Sequence, residues 1–228
     1  MTIFKFAMLR GLRSPASLIF NFAIPISLMF FSGLWEGDDA RGYYFVALML
    51  MFGSFAVSRG ILSDRIEGTI TRILSGPTTT FRYLAQNLLA CMVPMTFVAI
   101  LIVSLGSILY GWNLTLSLYL ALCYTIFTAS YVSFSFAWSC LFKSKESSFS
   151  VLTIISTFVA TLSGLILPLD MIPNTLRYIG AVFPAYWAVS GIDTLLANGL
   201  QREFWLSLLV MVLFAAAYLL YGGKRRII

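Results

Sequence analysis

The feature that most constrains this chain is a run of 60 consecutive residues without a charge, positions 83–142. A bilayer core is about 30 Å thick and an α-helix rises about 1.5 Å per residue, so this run as one helix would be roughly 90 Å long. The run must therefore fold back on itself within a membrane. Near its middle, Tyr110-Gly111-Trp112-Asn113 combines turn residues with aromatic residues that favour the membrane interface, which predicts a break there.

Four further uncharged runs, 14–35, 42–58, 147–169 and 204–223, are long enough to cross a bilayer or nearly so. Only 11% of the residues are charged, against about a quarter in soluble domains. The first run lacks a cleavage site, so we expect it to be retained. The sequence predicts an all-α polytopic membrane protein, a single transmembrane domain over 1–228, with six transmembrane helices at about 16–35, 43–62, 87–110, 114–142, 147–168 and 204–223.

The basic residues of the predicted loops are distributed unequally between the two sides of the membrane. Twelve of the 15 Lys and Arg residues fall on the side of both termini, and Arg41, Arg177 and Arg202 fall on the other side. Because Lys and Arg accumulate in cytoplasmic loops, the sequence predicts cytoplasmic N and C termini.

Residue types exclude several functions. The chain has no histidine, which removes imidazole general bases and the zinc sites of membrane proteases. Cys91, Cys123 and Cys140 lie in apolar runs and are interpreted as core residues. Apart from Arg59, near the end of the second, the predicted spans contain no Asp, Glu, Lys or Arg, which disfavours an ion-coupled carrier. We therefore expect no catalytic residues, no metal and no cofactor bound by this chain.

The predicted loop between spans two and three contains an amphipathic segment. Ile66, Ile70, Ile73 and Leu74 share one helical face, with charged residues opposite, and Ser75-Gly76-Pro77 ends the pattern. One interpretation is a helix that only rests on the membrane surface. The other is a docking helix, favoured by Gly68, which costs about 1 kcal/mol inside a helix and suits close approach of a partner.

The predicted loop between spans five and six, 169–203, is more apolar than an exposed loop. Its uncharged stretch 178–192 is too short to cross the bilayer and is interrupted by Pro184. An additional full span there would place the basic C terminus on the side of the membrane opposite the other basic loops. The sequence therefore predicts a re-entrant helical hairpin. At the start of the chain, residues 1–13 show a modest amphipathic pattern that predicts an interfacial helix.

Two segments together resemble one protein family. The segment 64–77 is similar to the acidic-x-Gly-Thr…Leu…Pro segment between spans two and three of the membrane subunits of type-2 ABC exporters. Gly164-Leu165-Ile166-Leu167-Pro168, Met171-Ile172-Pro173 and Phe183-Pro184 resemble that family's exit from span five and its re-entrant hairpin. The resemblance covers roughly 55–223.

The resemblance implies a cytoplasmic coupling helix that binds a separate ABC ATPase subunit, with candidate contacts Asp64, Arg65, Glu67, Gly68, Thr69, Arg72 and Pro77. It also implies a re-entrant hairpin and outer gate that include Pro168, Pro173, Pro184 and Asp193. ATP and magnesium would bind the partner, because this sequence has no GxxxxGK[ST] phosphate loop.

The family further implies a pathway formed by a dimer, with a second copy or a related permease, in a bacterial or archaeal cell membrane. A Phe- and Met-rich chain suits export of a drug-like, peptide, lipid or other amphiphilic substrate, and no nucleic acid is expected as a partner. The alternative is a non-transporting scaffold or immunity protein that recruits some other cytoplasmic partner through the same helix.

Overall fold

The structure is a computed structural model that describes residues 2–13, 15–35, 41–76, 79–142 and 144–224. Within these ranges the chain is helical and contains no strand. The α-helices are α1 (Thr2–Arg13), α2 (Pro15–Leu18), α3 (Ile24–Leu28), α4 (Gly42–Ile66), α5 (Thr69–Leu74), α6 (Thr80–Tyr110), α7 (Leu114–Ser139), α8 (Lys145–Leu162), α9 (Asn174–Gly180), α10 (Pro184–Asn198) and α11 (Arg202–Lys224).

Four described helices, α4, α6, α7 and α11, are long and apolar enough to cross a membrane. α9 and α10 together are also long and apolar enough to cross a membrane, but the chain bends by 108° at the break between them. The described residues therefore provide four or five apolar helices capable of spanning a membrane. These fit a multi-pass membrane protein.

Local signals explain where the long helices begin and end. The predicted break after Tyr110 is present, since Gly111 adopts a left-handed φ of 66° and ends α6. The Asn113 side chain then accepts a hydrogen bond from the Leu116 amide at 2.6 Å and begins α7. Ser144 caps α8 in the same way, accepting from the Ser147 amide at 3.1 Å.

The first predicted span, 16–35, is not one continuous helix. α2 passes through a π-helical turn, Ile19–Ala23, into α3, which ends at Leu28, and a 3₁₀ turn follows at Ser32–Leu34. Pro25 has no amide hydrogen to donate to the carbonyl of Asn21, so the regular α-helical pattern fails there. The helical stretch 15–28 spans about 21 Å, less than the roughly 30 Å of a bilayer core.

The fifth predicted span, 147–168, is also shorter than expected, because α8 ends at Leu162. The chain reverses at Gly164, which has φ +93°, and the amides of Leu165 and Ile166 both donate to the carbonyl of Ala160. This reversal directs the following segment across the end of the bundle instead of along the axis of α8.

α7 lies at the centre of the bundle, in contact with α4, α6, α10 and α11. Its large aromatic side chains Tyr124, Phe127, Tyr131 and Phe136 are fully buried. Ser130 on the same helix donates to the Met211 carbonyl of α11 at 2.6 Å. The outward faces of α6 and α11 expose apolar side chains that suit contact with lipid, namely Leu89, Val93, Phe97, Ile100, Leu206, Leu209 and Leu213.

Candidate functional site

Charged residues gather at both ends of the bundle. We call the end that contains Arg10, Asp64, Glu67 and Lys145 the basic end, because twelve of the 15 Lys and Arg residues are predicted on that side. The opposite end, where α9 and α10 form the hairpin, is called the hairpin end. The predicted coupling segment lies at the basic end, and the predicted re-entrant hairpin lies at the hairpin end.

At the basic end, the predicted amphipathic helix starts later than expected. Asp64, Arg65 and Ile66 are the last residues of α4, and Gly68 separates α4 from α5. Gly68 has φ +70°, a left-handed conformation that residues with a Cβ rarely adopt. The expectation that Gly68 lies within a helix was therefore wrong, and its role is to let the chain turn between the two helices.

Asp64 joins three helices. Its carboxylate accepts two hydrogen bonds of 2.7 Å from the Arg10 guanidinium of α1 and one of 2.6 Å from the Tyr83 hydroxyl of α6. Asn87, also on α6, donates to the Tyr83 carbonyl at 2.9 Å and accepts weakly from Arg10 at 3.4 Å. Gly60 provides the space for this contact, because a Cβ there would lie 2.7 Å from the Arg10 guanidinium.

Arg65 is also occupied within the chain. Its guanidinium donates to the carbonyls of Cys140 and Phe142 at 3.1 and 3.3 Å, where α7 ends. Unpaired carbonyls at a helix C terminus carry partial negative charge, so a cation there is favourable. Arg65 therefore fastens the end of α4 to the end of α7.

Glu67 fixes the turn that precedes α5. It accepts hydrogen bonds from the Ser63 hydroxyl at 2.5 Å and from the Lys145 ammonium at 3.0 Å, and its side chain is 58% exposed. The hydrogen bond from Ser63 and then the one from Lys145 lower the pKa of Glu67 below its ordinary value. The carboxylate is thus charged at neutral pH and still reachable from solvent.

The residues of α5 divide into a buried and an exposed face. Ile70 is 1% exposed and packs with Ile61 and Tyr83 in a small core at this end. Thr69 is half-buried, whereas Thr71 and Arg72 are exposed. Ile66 is 49% exposed and does not share the buried face of Ile70, contrary to the sequence pattern, because the turn at Gly68 changes the helix direction.

The predicted contact residues of this segment therefore have different environments. Asp64 and Arg65 bind other helices of the same chain, while Glu67 and Arg72 are accessible from solvent. Pro77 lies outside the described residues.

At the hairpin end, the predicted proline residues lie at helix starts. Pro168 precedes a 3₁₀ turn, Leu169–Met171, Pro173 precedes α9, and Pro184 is the first residue of α10. Close packing holds the hairpin against α8, since a Cβ on Gly180 would lie 2.6 Å from the Leu162 carbonyl oxygen.

Asp193 of α10 faces the start of α4. It accepts a hydrogen bond from the Tyr44 hydroxyl. The Arg41 guanidinium lies over the Tyr44 ring at 5.3 Å and donates to the Ile166 carbonyl at 2.9 Å. These contacts join α4 to both the hairpin and the segment that precedes it.

Sequence reasoning missed the partners of the predicted residues. Most of the contacts just described involve five residues that the sequence did not single out as partners: Arg10, Tyr83 and Lys145 at the basic end, and Arg41 and Tyr44 at the hairpin end. Only Arg10, a cation within an amphipathic segment, had a sequence signal, and that signal did not identify its partner. Among the residues that the structure describes, no group of His, Cys, Asp or Glu is arranged to hold a metal ion.

A family model described as "ABC-2 family transporter protein" matches residues 40–223. A comparison with curated proteins finds no match. The matched range contains both ends of α4, α5 and the whole hairpin, and it excludes α1.

Proposed function

Because this chain belongs to the ABC-2 family of transporter proteins, we propose that it is the membrane subunit of an ATP-driven exporter. It forms the translocation pathway as a dimer, with a second copy or a related permease, and works with a separate ABC ATPase. ATP and magnesium bind in that ATPase. The chain itself supplies the pathway, because members of its family are the membrane components of transporters.

The proposed arrangement has six spans, with α2 to α3 as the first and α8 as the fifth. Both termini and the basic end face the cytoplasm, which the 12 to 3 distribution of Lys and Arg supports. The pair of α9 and α10 is re-entrant, because a full crossing there would place the C terminus outside.

The observation that carries the proposal is the construction of α5. α5 is a short helix, and Ile70 buries one of its faces. Gly68 sets the start of the helix. The ion pair between Glu67 and Lys145 holds the turn that precedes it. Its exposed face leaves Thr71 and Arg72 available to a partner. In the proposed mechanism the ATPase binds this face, and movement of α5 is passed to α1, α6 and α7 through Asp64 and Arg65.

The composition of the lipid-facing and central helices supports an amphiphilic substrate. The chain has 20 Phe and 9 Met residues, and the uncharged middle parts of the long helices offer hydroxyls and aromatic rings. A drug-like molecule, a peptide or a lipid fits such a pathway better than a highly charged polymer does.

Co-purification with a co-expressed ABC ATPase tests the proposal. We expect Glu67→Arg and Arg72→Glu to abolish recovery of the ATPase and the stimulation of its activity by the permease. Arg13→Glu is the matched control, because Arg13 is an exposed cation of α1, away from α5. Full recovery of the ATPase with both α5 variants would contradict the proposal.

A further inference from the structure

The hairpin end contains a cavity of about 790 Å³. Its walls are the start of α4, the segment that follows α8, and the helices α9 and α10. Cavities of this size are typical of small-molecule sites. The docking function proposed for α5 at the other end of the molecule makes no use of it.

Two arginines line this cavity and hold the same backbone segment. Arg41 donates to the Ile166 carbonyl at 2.9 Å, and Arg177 donates to the Leu169 carbonyl at 2.6 Å. Each guanidinium has five N–H donors. In the described part of the chain, each arginine makes its backbone contact through one guanidinium nitrogen, Nη2. The cavity wall therefore carries positive charge with donors that the described residues do not use.

Two carboxylates line the same cavity. Asp193 is held by the Tyr44 hydroxyl, and Asp170 is fully exposed at 4.0 Å from the Arg177 guanidinium. The rings of Trp35 and Tyr44 also contribute to the wall. Charges of both signs and aromatic faces thus surround one space.

We propose that this cavity binds a compact zwitterionic headgroup that contains a phosphate and an ammonium group. Arg41 and Arg177 bind the phosphate, because planar guanidinium groups match its oxygens. Asp193 binds the ammonium group through its carboxylate. The headgroup belongs either to a phospholipid such as phosphatidylethanolamine or to a soluble molecule of the same chemistry.

This inference rests on the proposed function only for the side of the membrane on which the cavity lies. Binding itself is a property of this chain and requires no ATPase. Loss of ATPase recovery and loss of headgroup binding are therefore separate results.

The test measures phospholipid binding to the detergent-purified full chain by native mass spectrometry. Phosphatidylethanolamine, phosphatidylglycerol and a cationic amphiphile of equal chain length are compared. We expect phosphatidylethanolamine to bind most tightly. Arg177→Gln is expected to weaken binding of both phospholipids about tenfold, the effect of losing one hydrogen bond to a charged group. Arg202→Gln, an exposed arginine of α11, is the matched control and is expected to change nothing.

Asp193→Asn separates recognition of the ammonium group from a general structural defect. It keeps an oxygen that accepts from Tyr44 but loses the charge. We expect weaker binding of phosphatidylethanolamine and unchanged binding of phosphatidylglycerol. Competition with soluble glycerophosphoethanolamine identifies the source of the headgroup. If it displaces the lipid, the cavity recognises the headgroup alone. If it does not, the ligand is a lipid.

Three results would overturn the proposal. The first is that the unmodified chain binds phosphatidylglycerol or the cationic amphiphile more tightly than it binds phosphatidylethanolamine. The second is an equal loss of binding in Arg202→Gln and Arg177→Gln. The third is an Asp193→Asn variant that binds phosphatidylethanolamine as the unmodified chain does.

Discussion

Asp64 has only 18% of its side chain exposed and accepts hydrogen bonds from two neighbouring helices, α1 and α6. Asp64→Asn keeps the shape but loses the charge opposite Arg10. We expect a loss of about 1–2 kcal/mol in stability, measured as a lower Tm of the purified protein. Tryptic cleavage after Arg13 should also become faster, since α1 is released from α4.

Glu146→Gln is the control for Asp64→Asn. Glu146 is an exposed acid near the same end, in the first turn of α8. Its variant should cost no more than the loss of an acid from a first helical turn, about 0.3–1 kcal/mol, and should leave the cleavage rate unchanged. Equal effects of the two variants would mean that net charge, and not the contact with Arg10, determines the result.

The turn at Glu67 is expected to depend on pH. The pKa of Glu67 is lowered by Ser63 and Lys145, so the contact is complete at neutral pH and is lost as the pH falls through that lowered pKa. A spin label on Ser75→Cys reports the mobility of α5, and the three native cysteines are buried. We expect label mobility to rise on acidification.

Glu67→Gln provides the comparison, because its side chain has no charge to lose. In this variant the label should be mobile at every pH between neutral and acidic. An acid-induced rise in mobility that persists in Glu67→Gln would assign the titration to another group.

The sequence identified the segment around Asp64 but could not separate its residues by role. Asp64 and Glu67 are both acids within four residues of Gly68, and the hydropathy pattern does not assign them different partners. Their partners, Arg10 and Lys145, lie 54 and 78 positions away. Such pairs arise only when α1 and the start of α8 are packed against α4, which local patterns do not specify.

At the scale of elements, the turn between α4 and α5 depends on one backbone conformation. Gly68 has φ +70° and no atom within 4 Å of a Cβ built there, so any cost of substitution is conformational. We expect Gly68→Ala to lower stability by about 1–2 kcal/mol and Gly68→Asn by less, measured from Tm shifts. Gly11→Ala is the control, because Gly11 is helical and equally uncrowded, and it should be neutral or slightly stabilising.

The hairpin depends on a close backbone approach. A Cβ on Gly180 would meet the Leu162 carbonyl at 2.6 Å, and backbone cannot move aside as a flexible side chain can. We expect Gly180→Ala to cost about 1–3 kcal/mol and to loosen α9, seen as faster hydrogen exchange there. Gly191→Ala, whose nearest contact would be 3.4 Å, should have little effect. Similar exchange in both variants would contradict this interpretation.

Sequence patterns predicted the long helices better than the short ones. The breaks near Gly111 and before α8 follow from turn and capping residues, which act locally. The first segment deviates at Pro25, which has no amide hydrogen for the Asn21 carbonyl, and Asn21 packs closely against Gly53 of α4, where an added Cβ would overlap its side-chain oxygen. A hydropathy pattern shows neither the missing hydrogen bond nor the contact between the two helices.

At the scale of the whole molecule, α4 connects the two functional ends. Its N-terminal turn carries Tyr44, which binds Asp193 of the hairpin, and its last turns carry Asp64 and Arg65. A helix of its 25 residues is about 37 Å long. Tilting of α4 would therefore alter the basic end and the cavity at the hairpin end together.

The proposed six-span layout depends on the first segment, whose helical stretch 15–28 is shorter than a bilayer core is thick. If this segment crosses, α1 and α5 lie on the same side, as the contact between Arg10 and Asp64 requires. We expect Lys5→Cys and Ser75→Cys to react with a membrane-impermeant thiol reagent only in inside-out vesicles. Asn113→Cys, between α6 and α7, should react only from the opposite side. Reaction of Ser75→Cys from the same side as Asn113→Cys would exclude the proposed orientation of α6 and, with it, docking of a cytoplasmic ATPase on α5.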